Sequence, residues 1–121
     1  MKYRKKCANL GLKSGNILFA GLLFLLIDKP TYGYMLVDRL KDIGIDSSFV
    51  PYSIAYRLLH NMEIDGLVTS KWDVEVAGPS KRVYSITDKG VQYLKEWMVE
   101  AHKNVEVIET LIEKIKGAVN E

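Results

Sequence analysis

The sequence predicts a mainly α-helical fold with one small β-hairpin, followed by a single long C-terminal helix. Three observations support this. Residues 16–65 carry apolar side chains at helical spacing, residues 67–86 alternate around a Gly-Pro turn, and residues 94–119 carry an unbroken heptad repeat. At 121 residues, with 48% hydrophobic and 26% charged side chains, the chain has the size and composition of one globular domain.

The first helix is predicted over Asn16 to Ile27, where the sequence NILFAGLLFLLI is apolar nearly all round, as in a central core helix. Lys29-Pro30 ends it, because proline cannot continue a helix. The uncharged stretch from Ser14 to Ile27 is 14 residues long, which is too short to span a bilayer. Asp28-Lys29-Pro30 follows it where a secretory signal would need small residues, so we expect no secretion.

Two further helices are predicted before the hairpin. One begins at Thr31 and stops at Gly44, and the next opens at Pro51, where proline is tolerated, and ends at Gly66. The apolar stripe of the later helix is formed by Ala55, Leu58, Leu59 and Met62. Its outer face is formed by Ser53, Tyr56, Arg57, His60 and Asn61. This division predicts one buried and one exposed side.

Two short strands are predicted next, because Leu67 to Asp73 and Lys81 to Ile86 alternate on either side of Ala77-Gly78-Pro79-Ser80. Three helices followed by a two-stranded ribbon are the plan of a winged helix-turn-helix. The fold class is therefore a winged helix-turn-helix plus a long C-terminal dimerisation helix.

The last helix is predicted from Asp88 to Val119, with Thr87 as its N-cap, and would be roughly 48 Å long at ~1.5 Å per residue. That exceeds the diameter of so small a domain, so part of its seam needs a partner, either the same helix or the first helix of a second copy. The predicted dimerisation residues are Met98, Ala101, Val105, Ile108, Ile112 and Ile115. The alternative is two shorter helices folded back on the domain, although no Gly or Pro interrupts residues 91–116.

Charge is distributed unevenly along the chain. Residues 1–86 hold 12 basic and 8 acidic side chains, whereas residues 87–121 hold 5 basic and 7 acidic ones. We therefore divide the chain into a basic N-terminal tail (1–13), a DNA-facing winged helix-turn-helix domain (14–90) and a dimerisation helix (91–121). The tail has two interpretations, since five bases without an acid suit either a nucleic-acid contact or a solubilising segment.

Candidate DNA contacts follow from this fold, because the N-terminal residues of a recognition helix reach base edges in the major groove. The predicted DNA-binding residues are Tyr52, Ser53, Tyr56, Arg57, Lys81, Arg82, Lys13 and Asn16. Arg57 could donate to a guanine or to a phosphate, and Tyr56 could instead pack against the wing. Lys81 and Arg82 follow the turn of the predicted hairpin, which is the wing of this fold. They either contact DNA there or belong to a solvated hairpin tip.

No enzyme is indicated, and no metal or other cofactor is expected. Cys7 lies in the basic tail without a base aligned to it, and His60 and His102 lack metal-ligand spacing. Because Cys7 is the single cysteine, no intramolecular disulfide can form, and we expect a cytoplasmic protein.

Three segments carry a family resemblance. The second helix has Tyr32-Gly33-Tyr34-Met35-Leu36 and Arg39-Leu40. The third has Tyr56, Leu59, Met62-Glu63 and Gly66-Leu67-Val68. The hairpin region has Trp72, Gly78-Pro79, Lys81-Arg82, Tyr84, Ile86-Thr87 and Gly90. In this order and with these gaps, the segments resemble the PadR-like transcriptional regulators.

The resemblance implies a repressor that acts as a homodimer on a palindromic operator and is released by a small aromatic effector. Trp97, Phe19 and Phe24 are the candidate lining residues of an effector pocket, the alternative being that they are plain core. Where family members often have a Gly-Thr pair, this chain has Ser53-Ile54, so base specificity is not carried over.

The alternative function is that of a winged-helix protein–protein adaptor without DNA binding.

Overall fold

The computed structural model describes residues 14–46, 48, 50–73 and 81–120. The helices are α1 (Ser14–Leu25), α2 (Gly33–Arg39), α3 (Tyr52–Ile64) and α4 (Asp88–Val119), with a 3₁₀ helix (Leu40–Ile43) directly after α2. The strands are β1 (Thr31–Tyr32), β2 (Val68–Asp73) and β3 (Lys81–Ile86). The predicted order of three helices, a hairpin and a long helix is confirmed.

Helix α1 lies at the centre of the core, because its leucines contact α2, α3 and α4 from different sides. The largest fully buried side chains of the core are Leu22, Leu23, Leu26, Leu36, Leu40, Leu59, Met62, Leu67 and Val68. Phe24 and Ile27 are about half exposed, so this end of the segment is not buried all round as its composition suggested.

The second helix does not begin at Thr31 as predicted. Thr31 and Tyr32 instead form β1, which pairs antiparallel with β3 through Thr31↔Tyr84 and Tyr32↔Val83. The hairpin is thereby extended to a three-stranded sheet of order β1-β3-β2. Sequence periodicity could not reveal this strand, because two residues are too few to show alternation. The pairing is decided by the open edge of β3.

Both predicted glycine stops are confirmed. Gly44 ends the 3₁₀ helix with φ 83° and Gly66 follows α3 with φ 79°, a left-handed conformation that costs glycine little. Pro51 lies immediately before α3 as its N-cap residue rather than within it.

Helix α4 is one continuous helix of 32 residues, and the alternative of two shorter helices is wrong. The Thr87 hydroxyl oxygen accepts a hydrogen bond from the Gly90 amide at 3.1 Å, as expected of an N-cap. Tyr93 is buried near the start of α4, and Leu94 and Trp97 pack against the core. From Met98 onward the apolar side chains of α4 are largely exposed.

Candidate nucleic-acid interface

Helix α3 has a buried and an exposed side, as its spacing predicted. Ala55, Leu59 and Met62 are fully buried, whereas the side chains predicted to contact DNA face solvent. The exposed residues are Tyr52, Ser53, Tyr56, Arg57, His60 and Asn61. The helix therefore presents a polar, partly aromatic surface along its first three turns.

Tyr56 is the member of this surface that also packs against the domain. Its ring lies beside Gly33, the first residue of α2, and beside the buried Tyr84 of β3. The pKa of Tyr56 is raised chiefly by partial burial, which disfavours the phenolate. Tyr56 thus packs against the domain as its alternative interpretation expects, while 39% of its surface remains exposed.

Trp72 and Arg82 are cross-strand partners in the hairpin, and the Arg82 guanidinium lies over the Trp72 ring at 4.7 Å from the centroid. Trp72 is 56% exposed. Among the described residues, the buried Nε of Arg82 has no hydrogen-bond acceptor. The contact is a cation–π interaction, which places the planar guanidinium over the Trp72 ring.

A second aromatic and cationic cluster lies where β1 meets β3. The rings of Tyr32 and Tyr34 stack at 5.8 Å, and Nζ of Lys81 lies 5.0 Å from the Tyr34 centroid. The Tyr32 hydroxyl donates to the Asp73 carboxylate at 2.5 Å, and this bond is the main cause of a raised Tyr32 pKa. Sequence reasoning gave Tyr32, Tyr34 and Asp73 no site role, because β1 itself was not predicted.

These groups form a cleft of about 390 Å³ between α3 and the hairpin. Its lining residues are Gly33, Tyr34, Tyr56, His60, Trp72, Lys81, Arg82 and Tyr84. None of them is acidic, two are permanent cations and four are aromatic. Such a surface suits phosphate groups and the flat faces of bases or sugars.

Tyr52 lies outside the cleft lining and is held by a residue of α2. Its hydroxyl donates to Oδ1 of Asp38 at 2.9 Å. That bond is also the main cause of a raised Tyr52 pKa. Asp38 is exposed and had no place among the predicted site residues.

The structure brings Tyr56, Lys81 and Arg82 of the predicted DNA contacts around the cleft. Arg57 and Ser53 lie on the exposed side of α3, outside the cleft lining. Lys13 and the side chain of Asn16 fall outside the described residues.

The predicted effector-pocket residues do not share one environment. Phe19 and Trp97 pack against the core, and the Phe19 ring lies 5.3 Å from that of Tyr93. Phe24 is half exposed. Within the described chain, the buried indole N–H of Trp97 has no acceptor.

Two other properties of the described residues bear on function. No group of three or more His, Cys, Asp or Glu side chains in residues 14–46, 48, 50–73 and 81–120 is placed to hold a metal ion. Of the helices that the structure describes, none combines the length and the apolar character needed to cross a membrane.

Comparison with known proteins gives one family. Residues 22–96 match the transcriptional regulator PadR-like family, while no curated protein matches the chain. A crystal structure of a conserved protein of unknown function, described as a potential transcriptional factor, is 34% identical, with a TM-score of 0.75, over 90% of this chain and 96% of that one.

Two further solved structures carry the family name. A PadR family transcriptional regulator from Eggerthella lenta is 30% identical, with a TM-score of 0.65, over 76% of this chain and 80% of that one. PadR from Bacillus subtilis, solved in complex with operator DNA, is 26% identical, with a TM-score of 0.59, over 69% of this chain and 47% of that one.

Proposed function

The chain belongs to the PadR-like family of transcriptional regulators, and on that basis we propose that it is a sequence-specific DNA-binding repressor. It acts as a homodimer on a palindromic operator. The observation that carries the DNA-binding proposal is the cleft beside the exposed face of α3, whose described lining residues include aromatic and cationic side chains and no acid. The similar B. subtilis protein, which was solved with operator DNA, supports the same function.

Helix α3 enters the major groove in this proposal, since an α-helix fits that groove and its first turns reach the base edges. Ser53 and Arg57 supply polar contacts from the exposed side of α3. Lys81 and Arg82 lie across the cleft on β3 and contact the phosphate backbone. Most of the affinity then comes from phosphates, with a small set of base contacts around the start of α3.

The homodimer is supported by the apolar seam of α4. Ile108, Ile112 and Ile115 are each between 39% and 50% exposed in the single chain. Such a continuous apolar stripe at heptad spacing is stabilised by packing against another helix. The half-exposed Phe24 and Ile27 offer a second apolar surface, so the partner's α4 and α1 are both candidates.

Dimer symmetry connects the seam to operator choice. Two recognition helices related by a two-fold axis meet half-sites about one helical turn apart, roughly 34 Å. A ligand that wedges between the protomers would change this separation and weaken DNA binding. We place that effector near Trp97, because its indole N–H lacks an acceptor in the described chain and a bound polar group could supply one.

The second candidate function is a protein–protein adaptor, which the modest net charge of +2 favours. In vitro selection of duplexes from a random pool, followed by affinity measurements at increasing salt, separates the two. DNA binding predicts enriched palindromes and an affinity that falls steeply with salt, because each phosphate contact releases counterions. Undetectable binding to any duplex at low salt supports the adaptor.

A further inference from the structure

We infer that Asp38 fixes the Tyr52 hydroxyl as a hydrogen-bond acceptor toward DNA, so that Tyr52 selects a base with an exocyclic amino group. Adenine and cytosine are the two bases that present such a donor in the major groove. The inference rests on the proposed function and assigns a specificity-determining pair within it. It concerns one base position in each half-site.

The geometry fixes where the hydroxyl proton points. Tyr52 is in the first turn of α3 and 46% exposed, and its hydroxyl donates to Oδ1 of Asp38 at 2.9 Å. A tyrosine hydroxyl has one proton, and a bond to a carboxylate is charge-assisted and stronger than one between neutral groups. Once that proton is committed to Asp38, the oxygen has only lone pairs to offer an approaching base.

The negative charge of Asp38 further limits which DNA groups can contact the Tyr52 hydroxyl. The Asp38 carboxylate is exposed and 2.9 Å from the hydroxyl, so it disfavours a phosphate group in contact with that hydroxyl. It equally disfavours contact with guanine O6 and thymine O4, which are acceptors. The phenol is protonated at neutral pH and can donate to Asp38, and that bond in turn raises the pKa of Tyr52 above its ordinary value of 10.0.

The pair therefore differs from the remaining candidate contacts. Arg57, Lys81 and Arg82 are donors and suit phosphates or guanine. Tyr52 with Asp38 adds an acceptor to the same surface, and this allows the recognition helix to distinguish amino-bearing from keto-bearing bases.

The test begins with duplex selection by the wild type, Tyr52→Phe and Asp38→Asn, using Asp42→Asn as the matched control. Asp42 is an exposed acid of the 3₁₀ helix, so its substitution removes the same charge from the same region without touching Tyr52. Every base pair carries one exocyclic amino group in the major groove, so the preference appears as the orientation of a pair. We expect the wild type and Asp42→Asn to enrich one base pair of each half-site in a single orientation. Tyr52→Phe loses the preference at that position alone. Asp38→Asn relaxes the orientation of that pair, because the amide can donate to Tyr52 and release the hydroxyl proton toward DNA.

The second step removes the amino group from the selected base, replacing adenine with purine or cytosine with 2-pyrimidinone. The wild type should bind the altered duplex about two- to tenfold more weakly, the value of one hydrogen bond. Tyr52→Phe should bind both duplexes equally. Circular dichroism confirms that each variant is folded.

The outcomes separate the inference from the proposed function. If the wild type selects duplexes but Tyr52→Phe selects the same bases at every position, the inference is overturned and DNA binding stands. Undiminished wild-type binding to the duplex that lacks the amino group at this position overturns it as well. If no duplex is enriched by the wild type, the proposed function fails and the inference fails with it.

Discussion

Gly33 and Tyr56 are in such close contact that a Cβ atom at position 33 would lie 2.6 Å from Cε1 of the Tyr56 ring. The same Cβ would lie 3.3 Å from Cε2 of Tyr84. The missing side chain of Gly33 therefore makes room for the ring that connects α2, α3 and β3. This contact sets the position of Tyr56 at the edge of the cleft.

Gly33→Ala should displace the Tyr56 ring toward solvent, because buried Tyr84 blocks movement in the other direction. Overpacking of this kind costs about 1–3 kcal/mol of unfolding free energy. Chemical denaturation measures the loss. In a Tyr56→Ala background the same Gly33→Ala change should cost much less, and equal costs in both backgrounds would show that Tyr56 is not the obstacle.

Gly117→Ala is the matched glycine control. Gly117 lies within α4 and a Cβ there would have no atom within 4 Å. Alanine is favoured over glycine inside a helix, so the free energy of unfolding should rise by about 0.5–1 kcal/mol. The opposite signs of the two substitutions would separate steric contact from helix propensity.

Arg82→Ala should weaken duplex binding about tenfold at low salt. It should also reduce the slope of log affinity against log salt concentration by about one. Arg82→Lys should restore little, because lysine lacks the planar group that lies over the Trp72 ring. Fluorescence anisotropy over a salt series measures both quantities. Lys114→Ala, near the far end of α4, is the control and should leave binding unchanged; an equal loss there would point to net charge alone.

Ile108→Lys should convert the proposed dimer to a monomer, because it places a charge in the middle of the apolar seam of α4. Sedimentation velocity measures the change. Thr110→Lys adds the same charge outside the seam, at an exposed position, and should leave the dimer intact. A dimer that persists in Ile108→Lys would place the protomer contact elsewhere.

Alkaline pH should destabilise the contact between Tyr32 and Asp73. The hydrogen bond to Asp73 raises the pKa of Tyr32 above the unfolded value of 10.0, so the protonated phenol is favoured in the folded state. Its contribution to stability is fully present below pH 10.0 and is lost as the pH rises through the folded pKa. Urea denaturation across this range should show a smaller decline in the free energy of unfolding for Tyr32→Phe than for the wild type. Identical declines would show that ionisation of Tyr32 does not cause the loss of stability.

Ultraviolet titration of the tyrosines directly tests the causes assigned to their raised pKa values. The pKa values of Tyr32, Tyr52 and Tyr56 are all raised, the first two chiefly by bonds to Asp73 and Asp38 and the third by burial. Asp38→Asn should therefore lower the pKa of Tyr52 alone, because a neutral amide does not repel the phenolate.

The sequence alone determined the helices, the hairpin strands and the heptad seam, because these features repeat over many residues and depend on local spacing. The sequence also predicted Gly44 and Gly66 as helix ends and Thr87 as an N-cap, since each end of a helix has its own backbone requirement. The tertiary structure alone decided that Thr31 and Tyr32 form a strand, because their pairing partners in β3 are 53 and 51 residues away. It alone joined Asp38 to Tyr52, Asp73 to Tyr32 and Gly33 to Tyr56, contacts between distant segments that no local pattern encodes.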